Sequence, residues 1–493
     1  MQQVNNNILI KPIIIASLLL LLPSLSKGEI NYSHSGYASA TTVNRLSDGS
    51  IIKMPYRMAT YEYTRLECEE DGYCLNFKLS TAMEFRLKDV DDIGGSDLSF
   101  DLRELYLEWM TPLGDFSLGK QIITWGSASE NNPTDNISPF NYYYLFSMGK
   151  ERKEGIFSLN STIYYRDFKL NAIFIPQHNI NILPLNDPEF ALSIPLVPKD
   201  EQIMELDNPY EYGISINIPF SFMDVTTSYF SGYDRIVSFF GANVWANQAF
   251  TDPIIADTVL SYRKTEMYGF GLSLLLESFS FRSDFGYFIT DDKISKKGEL
   301  FRDYELGAQL IIEACEEKND ELPDWANPII CESEPTYKET FLLNNFAEYL
   351  QYTMEFEYTP TSDFSIISQY STHKSIAFGV ADSLTLSTTI LMDPEVFFIP
   401  GMGSPNTFIS TNSLSISARK LFPDIGLELS YTSMFDLDEK GSLHGVGLEY
   451  EIFKNTNLLI EVTKILNNDE IEMNPFTAMK DFSRILFELK YFY

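Results

Sequence analysis

From Tyr32 to the C-terminus, segments of about ten residues alternate apolar and polar side chains with a period of two, and turn residues separate them. Leu350, Tyr352, Met354, Phe356 and Tyr358 form one apolar face, against Gln351, Thr353, Glu355 and Glu357. Ile425, Leu427, Leu429 and Tyr431 do the same, as do Val446, Leu448, Tyr450 and Ile452. Leu458, Ile460 and Val462 oppose Leu459, Glu461 and Thr463. Earlier faces are Tyr268, Phe270, Leu272, Leu274 and Leu276, and Leu75, Phe77, Leu79, Met83 and Phe85. Such alternation fits a soluble β-sandwich, oily inside and polar outside. It also fits a membrane barrel with the faces reversed. Segments of about ten residues match a tilted bilayer crossing, whereas globular strands average five or six. Aromatics near the ends of apolar faces, such as Tyr268, Tyr358, Tyr431 and Tyr491, suit interfacial girdles. The pattern therefore predicts an all-β transmembrane antiparallel barrel.

Connections come in two kinds. Tight ones fall near Thr111–Gly114, Arg166–Asp167, Pro219, Ser278, Thr359–Ser362, Phe422–Asp424 and Lys454–Asn455. Long ones fall near 87–98, 126–154, 177–209, 231–263 and 391–407. Short periplasmic turns and long external loops are the expected asymmetry. Walking the chain gives about twenty strands, with eighteen or sixteen open, because Thr336–Leu343 is a weak strand and 363–390 exceeds one crossing. The twenty-strand walk puts the segment from Cys315 to Cys331 on the periplasmic side; one strand fewer moves it outside.

The N-terminus adds a destination. An apolar core, Ile13–Leu22, follows Lys11 and precedes Pro23, Ser24, Ser26 and Gly28, as in a secretory signal peptide. Residues 1–28 are expected to be removed, leaving 29–493 as the barrel. That takes away Lys11 and Lys27 and no acid, so 34 of the 36 basic residues face 69 acidic ones, a charge of about −35. So acidic a chain is a poor partner for nucleic acid, whose phosphates attract basic surfaces. The pairs Cys68 with Cys74 and Cys315 with Cys331 suit disulfides formed in an oxidising compartment; metal binding is the rival, but neither pair has close CxxC spacing.

The last strand places Ile485, Phe487, Leu489, Tyr491 and Tyr493 on one face and ends in an aromatic. This resembles the C-terminal assembly signal of Gram-negative outer-membrane barrels, and implies the barrel assembly machinery as a partner during biogenesis, with outer-membrane lipid and lipopolysaccharide around the finished protein. A more local likeness runs through Gly119-Lys120-Gln121, Trp125-Gly126 and Pro133-Thr134-Asp135. It is similar to porin-like outer-membrane proteins of the DUF1302 type, which implies a large barrel and no reaction. Lys120 stands where that pattern more often has arginine.

Lys120 shares a face with Phe116, Leu118 and Ile122, which would aim an ammonium at lipid at a cost of about 2–4 kcal/mol at midplane. Either a bulge at Gly119 turns it inward toward Glu104 and Glu108, or it lies near the periplasmic rim and snorkels. The loop from Gly126 to Glu154 either folds inward as a constriction or packs outside on its own aromatics. If apolar faces meet lipid, candidate pore-lining residues are Glu104, Glu108, Lys120, Glu355, Glu357, Glu428, Glu449, Glu451, Glu461 and Glu488, relieved by Arg419, Arg484 and Lys490. A carboxylate excess favours cations or neutral polar solutes. Pairing across strands would instead leave little net field.

Catalysis and cofactors are not expected. His34, His178, His373 and His444 are the only histidines; His444 lies on the outward face of Val446 and Leu448, but no partner serine with a known motif accompanies it. Asp89, Asp91, Asp92 and Asp97 offer hard oxygen ligands, yet a solvated acidic loop is the simpler reading, so no metal is assigned. Strands that begin just after residue 28 leave no room for a plug domain. A passive outer-membrane channel is the leading expectation; the alternative is a non-conducting barrel that binds surfaces through its acidic loops.

Overall fold

The structure is a computed structural model that describes residues 29–87, 98–147, 149–185, 187, 189–190, 198–246, 255–292, 337–380, 398–467 and 475–493. Its strands are β1 (Glu29–Arg45), β2 (Tyr56–Cys68), β3 (Cys74–Phe85), β4 (Leu98–Thr111), β5 (Gly114–Gln121), β6 (Ile156–Tyr165), β7 (Phe168–Ile175), β8 (Glu211–Pro219), β9 (Met223–Tyr233), β10 (Ser238–Ala246) and β11 (Ile255–Ser261). There follow β12 (Lys264–Leu276), β13 (Phe279–Asp291), β14 (Tyr337–Leu342), β15 (Asn345–Thr361), β16 (Phe364–Val380), β17 (Asn412–Phe422), β18 (Leu427–Asp436), β19 (Ser442–Phe453), β20 (Thr456–Leu466) and β21 (Arg484–Phe492).

Eighteen of them pair antiparallel in chain order, and β1 pairs with β21 from Tyr37↔Phe492 to Arg45↔Arg484, so the sheet closes. Eighteen lies inside the expected range and below the walk of twenty. The difference has a clear cause. β10, β11 and β14, of 9, 7 and 6 residues, pair with one another and not with the wall. They form a separate three-stranded sheet with its own buried contacts, including Phe240, Val259 and Leu342. With β14 outside the barrel, β13 and β15 are joined at the long-loop end. Cys315 and Cys331 lie outside the described residues, as do Asp89, Asp91, Asp92 and Asp97.

The faces divide as the alternation predicts. In β15, Met354 and Phe356 are 46% and 47% exposed, while Gln351, Thr353 and Glu355 are at most 1% exposed. Water cannot explain an oily exterior over a polar interior; hydrocarbon outside does. Tyr212, Tyr229, Tyr268 and Tyr287 lie side by side on β8, β9, β12 and β13, with neighbouring ring centroids 5.2–6.4 Å apart, a tyrosine belt toward the loop end. The Cys68–Cys74 disulfide closes the β2–β3 turn. Both ends of the barrel chain, at β1 and β21, lie at the turn end.

The terminal aromatic locks the seam. Tyr493 exchanges backbone hydrogen bonds with Gly36, and its hydroxyl donates to the Thr60 carbonyl at 2.6 Å. Its ring covers Gly36, where a Cβ would lie 2.6 Å from the Tyr493 oxygen and 2.2 Å from Thr60 O. Gly36→Val is therefore expected to lift the ring and destabilise closure by roughly 1–3 kcal/mol. A lower temperature for the shift from folded to unfolded gel migration reads it; an unchanged temperature would count against the lock.

Candidate functional site: a loop stapled across the lumen

After Gln121 the chain turns into the barrel instead of outward. Gly119 has φ +138° and meets Leu105 O, where a Cβ would come within 2.3 Å. Gly126 has φ +96°, and a Cβ there would lie 1.9 Å from the Asn132 amide. Both conformations belong to glycine. Gln121 is buried, accepts from Ser117 Oγ at 2.6 Å and donates to Ser158 O at 3.1 Å. Trp125 donates its backbone N–H to Asp135 at 3.1 Å and its indole N–H to Asn171 of the inner wall at 3.0 Å. Asp135 also pairs with Lys153, which is 1% exposed. Gly119, Gln121, Trp125, Gly126 and Asp135 thus shape the inward loop and hold it to the wall.

The tip of the loop reaches the far side. Ser127 and Ala128 donate backbone N–H groups to Asp284 of β13 at 2.8 and 2.6 Å, and the Asn132 amide donates to it at 3.1 Å. Ser129 donates from N and Oγ to Glu355 of β15 at 3.0 and 2.5 Å. Asn131 donates to Gln369 of β16 at 2.9 Å, and Gln369 donates back to Glu130 O at 2.8 Å. β5 is the fifth barrel strand, and β13, β15 and β16 are the eleventh to thirteenth, so the loop spans the lumen.

The two sides of this bridge differ. Toward β6–β15 the space is filled by Ile137, Ile156, Ile175, Phe230, Met267, Phe288, Tyr349 and Met402, all buried. Arg235 clamps this side: it donates to Ile137 O at 3.1 Å, to Asn179 O at 2.8 Å and to the fully buried Glu211 at 3.0 Å. His178 packs on the same carboxylate at 2.9 Å, and burial lowers its pKa. Between the bridge and residues 400–408 a cavity of about 20 Å³ remains, room for one water and no solute.

Toward β1–β4 and β16–β21 the lining is charged. Arg57 pairs with Glu84 at 3.1 Å and with Glu151 at 2.5 Å. Arg152 pairs with Glu130 at 2.5 Å. Glu104 takes Lys78 at 2.9 Å and Lys150 at 3.4 Å. An apolar cluster including Tyr142, Leu145, Ile409, Phe476 and Phe482 packs the loop end of this side.

The expected lining residues have specific places. Lys120 does not meet Glu104 or Glu108. It is paired in register with Leu105 and the exposed Phe157, and its ammonium reaches Asp101, at 3.7 Å, near the loop end of β4. Neither the lumenal counter-charges nor the periplasmic rim expected for it is found. Glu108 instead accepts from Asn76 at 3.0 Å. Glu355 is a tether of the bridge, also bound by Arg282 at 2.6 Å, which holds Glu357 at 3.0 Å. Glu428 pairs with Arg419 at 2.6 Å, Glu461 with Arg484 at 4.0 Å and Glu488 with Lys490 at 3.1 Å. Glu449 stands opposite Glu428 and accepts from Asn457 at 2.6 Å. Glu451 lies nearby, exposed and beside Gly426. Arg57, Arg152, Lys153, Arg235 and Asp284 escaped the sequence reading. Asp284 had a signal, as a polar residue on the inner register of β13; Arg57 sits beside a register shift in β2 that breaks the alternation, and the loop cations had none.

A closed antiparallel barrel, apolar outside and polar inside, places this chain in the cell outer membrane. No family model matches it, and no curated protein matches its sequence. The likeness to DUF1302-type proteins therefore rests on the quoted motif residues. Among solved structures it is similar to OccK8 (OprE) of Pseudomonas aeruginosa, with 10% identity over 94% of this chain and 98% of that one and a TM-score of 0.46. OccAB2 of Acinetobacter baumannii gives 10% identity over 94% and 98% and a TM-score of 0.44. The outer membrane channel DcaP of A. baumannii gives 10% identity over 95% and 99% and a TM-score of 0.40.

Proposed function

We propose that the protein is a passive outer-membrane channel for small polar or cationic solutes, with the stapled loop as its constriction. The observation that carries this reading is a polar inner wall crossed by a loop whose one flank is packed and whose other flank is charged. Solutes pass on the charged flank, between Glu130, Lys150, Glu151 and Arg152 and the wall of β1–β4. Charges there nearly balance. At the turn end Glu108 and Glu451 form no ion pair among the described residues and Glu449 only shares Arg419 with Glu428, so the mouth keeps a carboxylate excess that favours cations. Planar-bilayer recording tests both parts. Steady steps with a cation-selective reversal potential are expected in a salt gradient; an anion-selective sign rejects the preference. Silence from folded protein rejects the channel and leaves a closed barrel that binds through its acidic loops, a reading the packed flank favours.

Conduction is also expected to depend on pH. Burial pushes the carboxyls of Asp234 and Asp292, just beyond β9 and β13, up to about 6 and about 7, and raises those of Glu130 and Glu154. A raised folded pKa means that packing favours the protonated form, so this stability is present in acid and lost as pH climbs through 6 to 7. His178, with its pKa lowered, works in the opposite sense below the ordinary histidine range and offsets part of this at pH 5.5, but it is one group against four raised carboxyls. Loop packing is therefore tighter at pH 5.5 than at pH 8, and open probability should fall on acidification. A flat profile across that window would reject the link.

A further inference from the structure

The loop that leaves β7 and returns at β8, the seventh and eighth barrel strands, makes its ion pairs on the far wall. Glu189 pairs with Arg45, the last residue of β1, and Asp187 with Arg86, which follows β3, at 2.7 Å. Phe190 is 3% exposed and meets the ring of Phe482, just ahead of β21, at 5.1 Å. The eighteenth, first and third strands are thus tied to a loop of the seventh and eighth. Together with Leu183, which packs on the same apolar cluster, these residues cross the loop end of the charged flank.

The side chain of Asp187 is 4% exposed and accepts from Arg86, from the Tyr143 hydroxyl at 2.7 Å and from the Glu189 backbone N–H at 3.0 Å. Arg86 also donates from Nε to Lys53 O at 2.7 Å, and its guanidinium lies over the Tyr143 ring at 5.7 Å. Charge-assisted bonds of this kind are strong, so the contact is a fastening. It is also the fastening that water reaches: the Arg45 and Arg86 side chains are 19% and 27% exposed, whereas Asp284 and Glu355, which anchor the bridge beneath, are 0% and 1% exposed. Segments held by solvent-accessible bonds open before segments held by sealed ones. We propose that Asp187, Glu189 and Phe190 form a lid over the external mouth of the charged flank, latched by Arg86 and Arg45, and that its release admits solute. The gating role rests on the channel reading above; the latch does not.

Two measurements on the folded, detergent-purified protein separate latch from gate: hydrogen exchange of peptides spanning residues 183–190, and planar-bilayer recording. Asp187→Ala is expected to speed exchange in those peptides about tenfold and to raise the open probability in the same direction. Arg86→Gln, which removes the other half of the pair, should produce both shifts as well. Lys420→Gln, which removes a cation paired with Asp363 near the turn end, is expected to change neither. Heat-modifiable migration confirms that each variant is folded. Unchanged exchange in Asp187→Ala and Arg86→Gln overturns the latch. Faster exchange with an unchanged open probability overturns the gate. Silence from wild type and variants alike, with exchange still faster, rejects the channel and the gate with it and leaves the latch standing.

Discussion

Asp284→Ala is expected to release the tip of the lumen-crossing loop. The carboxylate accepts the backbone N–H groups of Ser127 and Ala128 and the side-chain amide of buried Asn132. Removing it leaves the two backbone donors without an acceptor, at about 1–3 kcal/mol each and roughly 2–6 kcal/mol in all, while the Asn132 amide keeps Trp125 O and Ala128 O. The barrel itself should survive, because the strand ladder on either side of Asp284 runs from Lys264↔Asp291 to Leu276↔Phe279 without needing that side chain. Folding assayed by gel migration should therefore be nearly unchanged, while single-channel conductance rises and becomes noisy. Asp284→Asn keeps an acceptor oxygen and should sit between the two. If Asp284→Ala conducts in the same discrete steps as the parent, the loop is not what limits flow.

Arg235→Ala carries the second large effect. One guanidinium ties Asn136 and Ile137 of the bridge, Asn179 of the next long loop and Glu211 at the top of β8. Glu211 is fully buried, so the variant strands a carboxylate held only by the His178 ring and the Tyr233 backbone N–H. Breaking a buried pair from one side typically costs 3–5 kcal/mol. The expected readout is rapid proteolysis within 177–209 and 231–263 in a barrel that still migrates as folded. Arg235→Ala with Glu211→Gln should recover much of the loss, since the stranded charge is gone. Protease resistance equal to wild type would mean the clamp is not holding these loops.

Sequence and structure agree best where one physical rule acts on every residue. A strand with hydrocarbon on one side and water on the other must alternate, so Met354 and Phe356 face out while Thr353 and Glu355 face in. Turns such as Lys454–Asn455 were legible too, Asn455 taking φ +65° between β19 and β20. The strand count was less so. Tyr337–Leu342 reads as a weak strand, and its partner, β10 instead of a barrel neighbour, removes it from the wall. Among the glutamates expected to line the lumen, Glu355, Glu428, Glu461 and Glu488 each meet a cation on the same or a nearby strand, which alternation does not encode.

By itself the sequence determined an outer-membrane barrel, its inside and outside, its turn end and the motif that opens the long loop at Trp125 and Gly126. These are local properties, written into every second residue and into glycines that tolerate positive φ. Only the tertiary structure decided that the loop turns inward and that Lys120 reaches Asp101. It also decided which flank of the lumen is packed shut. Those outcomes rest on contacts such as Ser127 with Asp284 and Ser129 with Glu355, separated by 157 and 226 positions. Nothing in the pattern of one strand specifies which distant carboxylate will meet a loop amide once the cylinder has closed.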